Sequence, residues 1–183
     1  MRRAGYCRKR LLAIAITNRI AGLNKREGEK MGQGFDLLCS NCGYKLIANL
    51  GTGFMYPREV EKTIEKIKSG KYGKHAREFF QENPEGTVDS SNVLLRCDHC
   101  GNLKVDKDLT LYKLKEGVTS PKYHIPNPYD YVEAEKIEHK CKKCGNNMSI
   151  IDMDDFYEKV CNGEITCPKC HGNLQMTGFL MWD

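Results

Sequence analysis

Two rhythms of apolar and polar residues run along the chain. Short apolar runs at residues 35–38, 46–48, 93–95, 103–105, 109–112 and 148–151, with Ile165 as a shorter case, predict β-strands. Between them the period lengthens to that of a helix. After Pro57, a favoured first helical residue, Val60, Ile64 and Ile67 recur at i, i+4 and i+7. Glu59 and Glu61 fall in the first turn and Lys66 and Lys68 in the last, as the helix dipole favours, and Gly70 closes it. In a second helix Tyr72, Ala76, Phe79 and Phe80 share a face, and Asn83-Pro84 ends it. A third, capped by Asp152, carries Phe156, Tyr157, Val160 and Cys161, with Gly163 at its end. These stripes read as core faces, with Cys161 packed as a small apolar side chain. Asp152, Asp154 and Asp155 read as capping charge.

The cysteines change the picture. Of the ten, eight fall into C-x-x-C pairs: Cys39-Ser40-Asn41-Cys42-Gly43, Cys97-Asp98-His99-Cys100-Gly101, Cys141-Lys142-Lys143-Cys144-Gly145 and Cys167-Pro168-Lys169-Cys170-His171-Gly172. The glycine after each pair, one residue later in the fourth, permits a positive φ and lets backbone N–H groups turn toward the thiolates. Each motif is a knuckle presenting two thiolates to one metal. Four knuckles make two closed tetrahedral four-sulfur sites. The ligand set is therefore Cys39, Cys42, Cys97, Cys100, Cys141, Cys144, Cys167 and Cys170, holding two zinc ions; iron suits the same ligands but ranks second. Three pairings of the knuckles are open. The simplest joins neighbours, Cys39/Cys42 with Cys97/Cys100 and Cys141/Cys144 with Cys167/Cys170. The nearby Lys45, Lys104, Lys140, Lys142, Lys143 and Lys169 are expected to offset the charge of a four-thiolate centre.

The order knuckle, strand, helix, strand, knuckle, strand occurs twice, an approximate duplication in which Lys68-Ser69-Gly70 and Cys161-Asn162-Gly163 occupy equivalent places. The expected fold is α+β: two zinc-ribbon units of short antiparallel strands, the first with a helical insertion. The expected divisions are a basic extension at 1–30, a first ribbon at 31–116, a linker at 117–130 marked by Pro121, Pro126 and Pro128, and a second ribbon at 131–183.

Charge is unevenly distributed. Residues 1–30 hold nine Lys/Arg and two acids, a balance of +7, so residues 31–183 hold 20 and 22, a balance of −2. The folded part has no general attraction to phosphate. The apolar run Leu11–Ile16 is short for a secretory segment. Residues 25–30 can all be written in purine-only codons just before Met31, as a bacterial ribosome-binding site would read if translated. Met31 is accordingly expected to be the start, with 1–30 outside the fold. A mean hydropathy of −0.58 and the lack of a long apolar run argue against a membrane span.

The paired Cys-x-x-Cys-Gly knuckles resemble the zinc-ribbon (rubredoxin-like) superfamily, most closely over residues 141–174; the first half departs from it through the helical insertion. From Met31 onward the chain is similar to small uncharacterised bacterial proteins with two zinc ribbons. The resemblance implies the fold and the metal, not a function. None of His75, His99, His124, His139 and His171 completes a catalytic motif, and no hydrolase, zinc-protease or phosphate-loop signature occurs. The expectation is a cytoplasmic, non-enzymatic zinc-binding module with a protein partner. Nucleic acid is the second partner class, suggested by the local lysines and by Tyr123, Tyr129 and Tyr131, though these tyrosines read first as packing around the prolines. No membrane or small-molecule substrate is expected. The alternative function is rubredoxin-like electron transfer through iron, or thiol redox sensing.

Overall fold

A computed structural model of the chain describes residues 32–119, 121 and 123–182, but not the side chains of Met153 and Asp154. The expectations for residues 1–30, for Met31 and for the Asp154 carboxylate lie outside these. In order, the elements are β1 (Gly32–Cys39), β2 (Lys45–Leu50), α1 (Tyr56–Lys68), α2 (Lys74–Glu82), β3 (Thr87–Val88), β4 (Asn92–Cys97), β5 (Leu103–Lys107), β6 (Thr110–Leu114), β7 (Tyr131–Lys136), β8 (His139–Lys140), β9 (Asn147–Ile151), α3 (Met153–Cys161) and β10 (Leu174–Trp182). The fold is α+β. Its sheets run β10-β1-β2, β3-β6-β7 and β5-β4-β9-β8, and every pairing between these strands is antiparallel.

The strand pairing does not follow the two consecutive ribbons expected from sequence. β1 pairs with β10 along its whole length, and β4 pairs with β9, so both ladders join the first half of the chain to the second. The proline-bearing stretch 117–130 is not a boundary. It connects β6 to β7, which pair from Leu114↔Tyr131 to Thr110↔Lys136. It is also tied down: Thr87 Oγ1 donates to the His124 carbonyl at 2.8 Å, and Ile125 packs on the helical core. Tyr131 is buried, whereas Tyr123 and Tyr129 are exposed.

Alternation along the strands builds three cores. In the first, the inner face of β1 and β2 (Phe35, Leu37, Ala48, Leu50) meets Leu94, Ile151, Ile165, Leu174 and the α3 residues Phe156 and Val160. Phe35 stands edge-on to Phe156 at 4.8 Å. The second core is the helical insertion. Val60 and Ile67 of α1 and Ala76, Phe79 and Phe80 of α2 pack on Val88, Leu109 and Leu111, joining the helices to the β3-β6-β7 sheet. The third is small: Leu95 and Met148 with Cys97 and Cys141. Leu94 and Leu95 point to opposite faces of β4, as the two-residue period requires, so this strand contributes to two cores.

The helix ends carry out the repeat read from sequence. At α1 the Gly70 N–H reaches the Ile67 carbonyl (2.8 Å) and the Lys71 N–H the Lys66 carbonyl (3.0 Å), with Gly70 at φ 89°. At α3 Gly163 reaches Val160 (3.2 Å) and Glu164 reaches Lys159 (2.9 Å), with Gly163 at φ 73°. Both are Schellman closures, which satisfy the last carbonyls and demand a left-handed residue.

Candidate metal centres

Each C-x-x-C pair folds into the same turn. In all four, the N–H of the first cysteine bonds a carbonyl five residues on: Cys39 to Tyr44 at 2.8 Å, Cys97 to Asn102 at 2.9 Å, Cys141 to Asn146 at 2.8 Å and Cys167 to Gly172 at 2.8 Å. The carbonyl of that cysteine accepts from the residue after the second cysteine, at 2.8–3.0 Å. That residue must be left-handed. Gly43, Gly101 and Gly145 hold φ of 72°, 66° and 75°, and His171 holds 58°. The fourth knuckle therefore departs from expectation, since its left-handed residue is His171 and not Gly172. Gly172 is small for another reason. A Cβ there would stand 3.2 Å from Asn41 Cβ and 3.4 Å from Cys170 Sγ.

The pairing of knuckles corrects the simplest expectation. Cys39, Cys42, Cys167 and Cys170 gather into one cluster and Cys97, Cys100, Cys141 and Cys144 into the other, each group of sulfurs lying within 4.8 Å. The first knuckle joins the fourth and the second joins the third, instead of the first joining the second and the third the fourth. The reason is the strand pairing. The β1/β10 ladder ends at Cys39↔Leu174, and the β4/β9 ladder ends at Cys97↔Met148, so each ladder delivers two knuckles side by side. All eight expected ligands are thus brought together. Cys161 belongs to neither cluster.

The geometry fits a tetrahedral ion. A zinc–sulfur bond of about 2.3 Å places sulfurs about 3.8 Å apart at the corners of a tetrahedron. Sulfurs approach at 3.5 Å (Cys39–Cys170) and 3.6 Å (Cys42–Cys167) in one cluster and at 3.4 Å (Cys97–Cys144), 3.5 Å (Cys100–Cys144) and 3.7 Å (Cys100–Cys141) in the other. The first cysteine of every pair is buried and the second more open, Cys42 most of all.

Amide donors reach the sulfurs. Asn41 Nδ2 lies 3.5 Å from Cys170 Sγ, Asn146 Nδ2 lies 3.4 Å from Cys144 Sγ, and the Lys169 N–H lies 3.4 Å from Cys167 Sγ. The side-chain and backbone N–H groups of Asn146 hold Cys144 down to about 6. The Gly172 N–H and the Asn41 amide do the same for Cys170, also to about 6. Cys42 and Cys100 accept N–H groups from Tyr44 and Asn102, which lowers them, but desolvation and the adjoining sulfurs outweigh this and push each up to about 12. Four thiols this close cannot all ionise unless a cation sits among them.

The asparagines were not singled out from sequence, although Asn41 lies inside a knuckle and Asn146 directly follows one. Three of the six lysines take other partners: Lys104 pairs with Asp106, Lys140 with Glu138 at 3.1 Å, and the Lys169 ammonium lies 5.8 Å from the centre of the Tyr44 ring. That last contact ties the fourth knuckle to the first. His139, near Cys141, is buried with Nε2 3.1 Å from the Asp108 carbonyl, away from the sulfurs. His99 and His171 are exposed.

Fold and site together define an α+β protein with two four-cysteine clusters able to hold metal ions. The chain matches no protein-family model, no curated protein and no solved structure. Among the described residues no helix is long and apolar enough to cross a membrane.

Proposed function

We propose that the chain is a zinc protein in which both four-cysteine sites are structural, each at the heart of a ribbon-like pair of hairpins, and that its role is to present a surface to a protein partner. The observation that carries the metal reading is the closed ligand set. Four sulfurs gather within 4.8 Å of one another in each cluster, every knuckle carries the same backbone bonds, and the first cysteines are built into apolar cores. Four thiolates fill a tetrahedral ion's coordination and leave no position for water or substrate, which supports a structural over a catalytic role.

Support for a protein partner comes from β10. Among the described residues it is an edge strand of its sheet, carries no charged residue, and leaves Phe179, Leu180 and Met181 42%, 49% and 49% exposed. Edge strands of this kind add a strand from another chain. The near-neutral charge of residues 31–183 disfavours nucleic acid.

Elemental analysis of the purified protein with a visible spectrum tests the metal. Two zinc per chain without colour is expected; iron with thiolate charge-transfer bands would replace this reading with electron transfer. For the partner, a co-purifying protein should be lost from a Leu180→Lys variant that keeps its metal. Retention of the partner by that variant would remove β10 from the account.

A further inference from the structure

The two clusters are nested along the chain. The inner one links cysteines 41 and 47 residues apart, and the outer one links cysteines 125 and 131 apart. The loop closed by the outer cluster therefore contains the whole of the inner one. Resting on the zinc reading above, we infer that the two sites load metal as one cooperative unit, with the inner site filling first.

The coupling runs through the β4/β9 ladder. At one end it reaches the inner site: Cys97 stands opposite Met148, which packs with Cys97 and Cys141. At the other end Leu94 stands opposite Ile151, and both belong to the core that contains Cys39 and Cys167 of the outer site. One ladder thus has a face on each sulfur cluster. Metal in the inner site holds β4 against β9, and the ladder so formed is part of the wall behind the outer site. The Gly51–Asn92 bridge, with backbone bonds of 2.8 and 2.9 Å, fastens β4 to the end of β2.

Chain entropy sets the order. Closing the inner 41-residue separation is about fivefold easier than closing the outer 125 residues from the open chain. Inner closure then shortens the outer loop by about a third, worth about twofold. The apolar packing of Leu94 and Ile151 adds to this. By linkage the coupling is reciprocal, so each filled site strengthens the other by the same factor.

The test uses the full-length reduced chain and zinc alone. Zinc is added at one equivalent, species are counted by native mass spectrometry, and uncoordinated thiols are alkylated and mapped. With a coupling of about tenfold, chains holding no zinc or two should dominate and singly loaded chains should stay below about a third. Cys97, Cys100, Cys141 and Cys144 should be protected ahead of Cys39, Cys42, Cys167 and Cys170. A singly loaded population of a half or more overturns the cooperativity, and earlier protection of the outer cysteines overturns the order.

As a second measurement, Cys42→Ser/Cys170→Ser should weaken the inner site and Cys100→Ser/Cys144→Ser the outer site by the same factor, about tenfold. Unchanged affinity in both variants overturns the coupling. Two zinc at saturation with independent filling defeats this inference and leaves the metal reading intact. No zinc at saturation defeats both.

Discussion

His171 holds φ 58° at a turn position where the other three knuckles use glycine. A left-handed conformation costs a residue with a Cβ about 1–2 kcal/mol, and glycine avoids the cost. Since the His171 side chain is exposed, His171→Gly is expected to stabilise the zinc-loaded protein by up to about 1 kcal/mol in thermal melts. Gly172→Ala should act in the opposite direction, because its Cβ would press toward Asn41 and Cys170. If His171→Gly lowers the melting temperature, the ring has a role that this strain argument omits. Sequence pointed to Gly172 as the left-handed residue because it was the only glycine near. Which residue of a turn takes the positive φ is set by the hydrogen-bond ring that closes the turn, and that ring is visible only in the fold.

Tyr56 is a second residue with a measurable consequence. Its hydroxyl donates to Asp89 Oδ1 at 3.0 Å, and desolvation, followed by the Asp89 charge and hydrogen bond, raises its pKa well above the usual tyrosine range. A folded-state pKa raised above the unfolded value of about 10 gives stability that is fully present below pH 10 and lost as the pH climbs beyond it. Denaturation followed between pH 8 and pH 12 should show that loss, and Tyr56→Phe should flatten it. At neutral pH the same substitution should cost about 1 kcal/mol for the lost hydrogen bond. An equally steep alkaline loss in the variant would assign the effect to other groups.

At the scale of elements, the helices were legible because their signals are local: Pro57 at the start, apolar residues on one face, Gly70 and Gly163 at the ends. Most strands were legible for the same reason. β10 is expected only as the strand that closes the second repeat, without bounds, although Leu174-Gln175-Met176-Thr177 alternates; its partner β1 lies far away in the chain. Two glycines on β1 show how close that partnership is. Cβ atoms on Gly32 and Gly34 would meet the Trp182 ring at 2.4 Å and Leu180 Cγ at 2.8 Å. Gly32→Val is therefore expected to expel the ring and destabilise the protein by about 1–3 kcal/mol. Trp182 is the single tryptophan, so its emission reports the event directly. A red shift in the variant is expected; an unshifted spectrum would mean that the ring does not lie over Gly32.

At the scale of the whole molecule, the eight cysteines of the two clusters could be read from sequence and their partnership could not. Four near-identical knuckles carry no label for their mates, and loop closure discriminates weakly, at about 0.6 kcal/mol per doubling of length. The choice is made by β1/β10 and β4/β9, which bring the first knuckle to the fourth and the second to the third. The consequence is a chain clasped twice between its two halves, with the α1–α2 insertion forming a separate core alongside.

The most direct test of that arrangement is the zinc content of the Cys42→Ser/Cys170→Ser variant at saturating metal. Under nested pairing both substitutions fall in one cluster, so the outer site is lost and one zinc per chain remains, held by Cys97, Cys100, Cys141 and Cys144. Pairing between neighbouring knuckles would remove one ligand from each site and damage both. One retained zinc, with the four inner cysteines protected from alkylation, is the expected result; loss of both ions, or retention of both, would contradict it.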